Sequence, residues 1–339
     1  MEVDMTMKAI TKATTKATTK ETTMERNYED NYIILFHGNC IDGWFSAYIA
    51  YTCMRDKAFA MYPISHSQPN TWPNIKQMRG HILLLDVSVP MDVREKWMKG
   101  GALSINCIDH HESSVADWPA GTIDTTSCAA LQTFKHFYPQ LPVPQWLHVI
   151  DRIDRWDRIQ YEDRCIREML NLIAHKPVQQ KVEEALKETE EFIQMMSTPQ
   201  TAMIYIQSGA NILMQKDMGL TGILEKGKFH LFTEEYIAKW KLPATWLNKY
   251  VYIIDNTGIT FDSTEAAHLI FQSYPSTNIF INYRKREFKV GGVQKTSYVY
   301  SARSMGVDLT EGTIFRGHPC AAGATIMKDE VEMIPFHIA

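Results

Sequence analysis

LSINCIDHH, residues 103–111, is the stretch that decides how this chain is read. A strand-like apolar run, Leu103–Ile108, passes directly into Asp109, His110 and His111. Buried strands normally carry Val, Ile and Leu, because an unpaired charge taken out of water costs on the order of several kcal/mol. Three polar groups at such a strand end need compensation, and one metal ion can supply it for all of them.

Three other segments close in similar chemistry. Tyr32–Phe36 ends in His37, followed by Gly38, Asn39, Cys40, Ile41, Asp42 and Gly43. Ile82–Leu85 ends in Asp86, Val87 and Ser88, and Trp146–Ile150 leads into Asp151, Asp154 and Trp156. In an open parallel sheet the carboxyl ends of the strands share one crevice, so residues distant in sequence meet there. His and Asp donors without paired thiols suit a hard or borderline cation, Mn²⁺ before Zn²⁺. Each segment alone has a plainer reading. Asp86 could cap a turn, His37 could be a satisfied polar group, and residues 151–156 could form an amphipathic helix with its charges in solvent. Their occurrence together and in order favours the metal reading.

These motifs resemble the DHH phosphoesterase family (the RecJ-like and nanoRNase-like superfamily) with its C-terminal DHH-associated domain. The segment from His37 to Gly43 resembles the first motif, Asp86-Val87-Ser88 the second, Asp109-His110-His111 the third and Asp154-Arg155-Trp156 the fourth. Near the C-terminus, Ser301-Ala302-Arg303-Ser304 and the stretch Arg316–Gly323 resemble the two signatures of the associated domain. The resemblance spans roughly residues 31 to 330, in the family's order.

The resemblance implies a centre of one or two Mn²⁺ ions, with Mg²⁺ as the alternative, held by His37, Asp42, Asp86, His110 and Asp154. Asp86 would bridge, His111 would contact the scissile phosphate, and Asp109 would orient the neighbouring imidazoles. Asp151 is the alternative to Asp154, since one sequence leaves the fourth-motif register open. The chain departs from the wider family at Cys40, where a carboxylate is common. Either the thiolate ligates and favours softer metals, or Cys40 is a small buried residue and one metal position is weakened until substrate completes it. The second reading is preferred.

The chemistry of such a centre is phosphoester hydrolysis. Two cations roughly 3.5–4 Å apart can hold a bridging hydroxide and stabilise the attacking and leaving oxygens of an in-line displacement. In the C-terminal part, Arg303 beside Ser301 and Ser304 offers a fork suited to phosphate. Gly317 and His318, followed by Ala321, Ala322 and Gly323, form a small-residue turn where backbone can approach a ligand. An ordinary glycine turn with a surface His is the plain alternative.

Composition sets the limits. At 339 residues with 45% apolar and 22% charged content, the chain can build two domains with cores of their own. The expectation is an α/β protein with an N-terminal parallel-sheet DHH domain and a smaller mixed α/β associated domain, the active site lying in the cleft between them. The expected divisions are a Thr/Lys-rich disordered tail over 1–30, the catalytic domain over 31–197, a helical linker over 198–240 and the substrate-binding domain over 241–339.

No run is long and apolar enough for a bilayer, so no membrane partner is expected. A net charge of −4 gives no general attraction for long nucleic acid and favours a short oligonucleotide or nucleotide. Six cysteines without a Cys-x-x-Cys pair suggest reduced thiols and a cytoplasmic location. A homodimer is compatible with all of this. The tail lacks the apolar core of a secretory signal, and Glu2, Asp4, Glu21 and Glu25, with no Arg before Arg26, argue against a transit peptide.

Helices are expected over Gly43–Met54, Met91–Lys99 and Ser127–Tyr138, the last capped by Thr126 or Ser127. Two more, Val178–Met196 and Ala202–Lys216, are separated at Pro199. After Gly227, strands are expected at Phe229–Phe232, Val251–Asp255, Asn278–Asn282, Phe288–Val290 and Thr296–Tyr300, with a helix over Ser263–Ser273 opened by Asp262 or Ser263. Lys285 and Arg286 with Tyr283 and Phe288 read either as a base-stacking edge or, more simply, as an exposed hairpin.

The leading function is phosphodiester hydrolysis of short oligonucleotides or dinucleotides, of exonuclease type. The alternatives are a phosphatase or pyrophosphatase acting on small nucleotides or polyphosphate, and a degenerate, non-catalytic nucleotide-binding module.

Overall fold

A computed structural model of the chain describes residues 31–327, apart from 39, 55–56, 58, 66–71, 75–77, 175–181, 241, 260, 291–292, 311–312, 314 and 319. The Thr/Lys-rich segment, Asn39 and Pro319 therefore lie outside the described residues. The chain divides into two units, Met1–Leu213 and Met214–Ala339.

The first unit is built on a four-stranded sheet. Its strands are β1 (Tyr32–His37), β2 (Phe59–Ile64), β3 (Gly80–Leu85) and β4 (Ala102–Ile108), in the order β2-β1-β3-β4 and all parallel. Ile33, Ile34, Leu35 and Phe36 are consecutive and buried, as a central strand covered on both faces requires. Pro63, which cannot donate to a ladder, sits in edge strand β2. The expectation of a buried strand at Leu103–Ile108 is corrected here. β4 is the other edge, and Leu103 is 47% exposed.

Helix α1 (Ile41–Met54) follows β1 and is apolar nearly all round. Trp44, Ala47, Ala50 and Met54 pack with Ile34, Phe36 and Leu85 of the sheet, while Phe45, Tyr48 and Ile49 pack against a helical layer. Burial on two sides explains its weak amphipathicity. Other helices of this unit are α2 (Met91–Lys99), α3 (Ala129–Phe137), α4 (Gln145–Arg155), α5 (Tyr161–Ala174) and α6 (Val182–Met195). Trp146–Ile150, grouped above with the strand-like runs, is helix α4. Trp146, Leu147, Val149, Ile150 and Ile153 form its buried side. A short continuous apolar run does not by itself distinguish helix from strand.

Helix α7 (Pro199–Leu224) continues well past Lys216 and begins at Pro199, whose missing N–H costs nothing at a first helical position. Tyr205 and Ile206 pack in the first unit's core, and Leu220 and Leu224 in the second unit's. No helix among the described residues is long and apolar enough to cross a membrane.

The second unit carries β5 (Lys228–Leu231), α8 (Glu234–Trp240), β6 (Tyr250–Asp255), α9 (Ser263–Ser273), β7 (Thr277–Val290), β8 (Val293–Ser304), β9 (Arg316–His318) and β10 (Ala321–Met327). Its mixed sheet runs β5-β6-β7-β8-β10-β9, with β6 and β7 parallel and the other pairs antiparallel. The two short strands expected at 278–282 and 288–290 are one long strand, β7, paired with β8 along its length. One face packs Phe232, Trp246, Tyr283, Tyr300 and Phe315, and the other packs Tyr252 and Phe280 under α9. Tyr283 is thus a core residue, with ring centroid 5.5 Å from that of Tyr300, and no stacking edge forms around it. Lys285 is exposed and pairs with Glu287.

Candidate metal centre

Strand register builds the site. Phe36 pairs with Leu85 and Leu85 with Ile108, so the next residues along, His37, Asp86 and Asp109, lie side by side at the carboxyl end of the sheet. The Asp86 amide donates to Ile108 O at 2.9 Å, continuing the ladder one step. Asp86 then turns at φ 56°, a left-handed conformation uncommon for a residue with a Cβ and often found at functional sites.

Around Asp86 the donor atoms converge. His37 Nδ1 is 3.3 Å from Asp86 Oδ2, and His110 Nε2 is 3.3 Å from Asp86 Oδ1. The same His110 nitrogen lies 3.2 Å from Asp154 Oδ2 and 3.6 Å from Asp42 Oδ2. Two triads, His37–Asp86–His111 and Asp42–Asp86–His110, each place their donor atoms within 4.8 Å of one another. Asp86 belongs to both. Gly43 allows α1 to start this close: a Cβ there would stand 2.2 Å from His37 O.

Asp109 lies beside these groups and serves them. Its Oδ1 accepts the His111 ring nitrogen Nδ1 at 2.7 Å and the His110 amide at 2.8 Å. The His111 imidazole is therefore oriented by Asp109, whereas the His110 imidazole faces the other three carboxylates.

Asp151 and Asp154 separate on helix α4. Asp154 joins the cluster, and its Oδ1 accepts from the Cys40 thiol at 3.8 Å. Asp151 turns to the N-terminus of α3, where its Oδ1 accepts the Cys128 amide at 2.6 Å. Asp42 takes the next two amides, Ala129 and Ala130, each at 2.7 Å. The cap expected from Thr126 or Ser127 is corrected accordingly. Cys128 is the N-cap residue without a side-chain cap, and carboxylates remote in sequence satisfy the helix end.

Charge is strained in this pocket. Burial, followed by repulsion from Asp86 and Asp154, pushes the Asp42 carboxyl well above the usual range. Burial, chiefly, raises Asp154 as well. Burial opposes ionisation of Asp86, yet hydrogen-bonding interaction with His110 and His37 holds its carboxyl well below the usual range. His110, against its burial, is raised to about 10 by Asp86, Asp154 and Asp42.

Neither oxygen of Asp86, and not Oδ2 of Asp154, has a hydrogen-bond donor in good geometry, although all three are buried. Buried carboxylate oxygens without donors are costly and rare. Three carboxylates and three imidazoles make a hard-to-borderline donor set, which fits one or two divalent cations.

In the second unit, Arg303 is held in place. Its Nη1 donates to Ser301 Oγ at 3.1 Å and Ala302 O at 2.8 Å, and its Nε donates to Thr264 Oγ1 at 3.1 Å. The register sets Arg303 opposite Ala321 and Ala321 opposite His318. Gly317 lies in the adjacent row, opposite Ala322. Ser304 is not grouped with Arg303. One residue further along a strand it faces the other side, and its Oγ donates to Val307 O at 2.5 Å. Two polar residues near Ser301 and Arg303 escaped the sequence reading. Thr264, in the first turn of α9, accepts from Arg303, and Asn282, paired with Ser301, donates through Nδ2 to Ser263 Oγ at 2.9 Å. The Asp262 cap, accepting from the Thr264 amide at 2.8 Å, was the available signal for the first.

No family model matches the sequence, and neither does any curated protein. Among solved structures, the chain is similar to the pGpG-specific phosphodiesterase PggH from Vibrio cholerae, with TM-score 0.48, 11% identity, and 89% of this chain and 95% of that one covered. It is also similar to RecJ from Thermus thermophilus in complex with Mn²⁺, with TM-score 0.44, 13% identity, and 89% and 50% covered. A third is an exopolyphosphatase-related protein from Bacteroides fragilis, with TM-score 0.43, 12% identity, and 95% and 90% covered. At these scores and identities the likeness is one of chain course.

Proposed function

We propose that the chain is a metal-dependent phosphoesterase that hydrolyses phosphodiester bonds of short oligonucleotides or dinucleotides. The observation that carries this reading is the sharing of buried Asp86 by two ligand triads. His37 and His111 would serve one ion, and Asp42, His110 and Asp154 the other, with Mn²⁺ ahead of Mg²⁺. Divalent ions in such a site supply hydroxide near neutral pH and neutralise charge on phosphoryl oxygens. His111, held through Nδ1 by Asp109, would keep its remaining ring nitrogen for the ion it shares with His37. Arg303, braced by Ser301 and Thr264, supplies the guanidinium that recognises a substrate phosphate. The net charge of −4 favours short substrates over long polyanions.

A substrate panel tests the proposal. Di- to decanucleotides, linear and cyclic dinucleotides, mononucleotide bisphosphates and pyrophosphate are incubated with Mn²⁺, Mg²⁺ or chelator. Chelator-sensitive release of mononucleotides from short substrates is expected. Turnover of pyrophosphate alone would transfer the activity to the small-phosphoester class, and silence across the panel in every metal would remove the catalytic reading.

A further inference from the structure

We infer that the first unit binds a second ligand away from the metal centre, an anionic aromatic molecule of the mononucleotide class, in a cavity of about 700 Å³ beside edge strand β4. A volume of this order suits a small organic ligand. The inference goes beyond the proposed hydrolysis and stands without it, since none of the candidate metal ligands lines the cavity.

Charge selects the anion. Lys57, His81, Arg94 and His136 line the cavity, and among the described residues no Asp or Glu does. In a chain of net charge −4 this is a local reversal of sign. A concave wall of one sign concentrates ions of the other. Arg94 Nη2 donates to the Asp117 carbonyl, while Arg94 Nε and the indole Nε1 of Trp118 are buried donors without an acceptor. Guanidinium and indole nitrogens donate only, so a ligand suited to this wall brings acceptors.

Rings select the aromatic part. Tyr32, Trp118 and Phe137 are also in the wall. Lys57 Nζ stands 4.5 Å from the Tyr32 ring centroid, and Arg94 Cζ 4.1 Å from that of Trp118. Tyr32 in turn stacks on His81, with centroids 5.1 Å apart. Cation and π surface thus meet at the same places, the pairing that a nucleobase carrying a phosphate requires. β4 pairs only with β3, which leaves peptide groups on its outer side for the edge of a base.

The same elements build both sites from opposite ends. β1 starts at Tyr32 and ends at His37, and α1 carries Asp42 in its first turn and Met54 as its last residue. The first amides of α3 hold Asp42, and its last residues, His136 and Phe137, line the cavity. Packing that fixes the metal donors therefore also fixes these walls.

The test is calorimetric and needs no metal. The full chain in EDTA is titrated with AMP, GMP, adenosine, ribose 5-phosphate and inorganic phosphate. AMP or GMP should bind, with adenosine and ribose 5-phosphate about tenfold weaker or more, because each keeps only part of the contacts. Lys57→Ala, at an exposed position, and Arg94→Gln should each weaken nucleotide binding by about tenfold. Asp86→Asn and Arg303→Ala should leave it unchanged, since neither residue lines the cavity. Photo-cross-linking with 8-azido-AMP should label peptides within residues 105–122 or 129–138. Absence of nucleotide binding in EDTA overturns the inference, as does adenosine binding as tightly as AMP. Binding lost in Arg303→Ala but kept in Lys57→Ala and Arg94→Gln overturns it too, by placing the nucleotide in the second unit. None of these outcomes touches the proposed hydrolysis, which is measured with metal present.

Discussion

Asp42 and Asp151, far apart in sequence, cap the same helix end. Asp151 accepts the Cys128 amide at 2.6 Å, and Asp42 accepts the Ala129 and Ala130 amides at 2.7 Å each. Asp151 thereby fixes the turn whose next two amides hold a candidate metal ligand. The positive end of the α3 dipole also faces Asp42 and partly offsets the burial that raises its carboxyl.

Asp151→Ala should cost about 1 kcal/mol of stability through the lost cap. It should also weaken Mn²⁺ binding on the order of 10–100-fold, as loss of a group that supports a ligand does. Asp151→Asn keeps an acceptor oxygen and should restore most of both. Thermal melts and calorimetric titrations check this, and an unchanged Mn²⁺ affinity in the Ala variant would reduce Asp151 to a purely structural residue.

The metal-free centre should respond to pH through His110, whose pKa is raised from 6.5 to about 10. A group raised on folding stabilises fully below its unfolded value, and that contribution is lost as pH rises through the folded one. Metal-free stability from this residue should therefore decline between pH about 6.5 and 10. Metal affinity should rise over the same interval, because the ion must displace the imidazole proton. Mn²⁺ titrations in buffers of different ionisation enthalpy should reveal net proton release. Its absence at neutral pH would show that His110 is neutral before the ion arrives.

Gly43→Ala sets a Cβ 2.2 Å from the His37 carbonyl oxygen, so α1 must move off β1. A loss of about 1–3 kcal/mol is expected, together with weaker metal binding, because His37 and Asp42 flank the contact. Gly219→Ala is the control. No atom lies within 4 Å of its added Cβ, and helix α7 should gain about 0.4–1 kcal/mol. Equal melting points for the two variants would contradict the close approach.

Arg303→Ala should raise KM for short oligonucleotides while Mn²⁺ affinity stays at the wild-type value. Thr264→Val, which removes the Nε partner at 3.1 Å, should produce a smaller change in the same direction. Steady-state kinetics separate these effects, and a fall in kcat with unaltered KM would place Arg303 outside substrate recognition.

The strand ends were readable in the sequence because parallel strands make a simple rule. Equal register carries His37, Asp86 and Asp109 to one edge, whatever the loops between them do. Trp146–Ile150 was not readable in that way. A short, largely apolar run fits a buried strand and a helix face equally, and only packing against α1 and α5 selects the helix. Ser304 misled for a related reason. Its neighbour Arg303 is adjacent in sequence, but successive residues of a strand face opposite sides, so the serine is committed to Val307.

Residue chemistry and order were thus set by the amino-acid sequence alone: imidazoles and carboxylates at the ends of apolar runs, an arginine beside a serine, and a cysteine two residues ahead of an aspartate. Only tertiary structure decided which carboxylate faces which partner. Asp151 and Asp154 are three residues apart on one helix and chemically identical. The packing of α4 gives one to the α3 amides and the other to His110, because the rotation of a helix about its axis is fixed by what it buries and not by the residues it carries at its end.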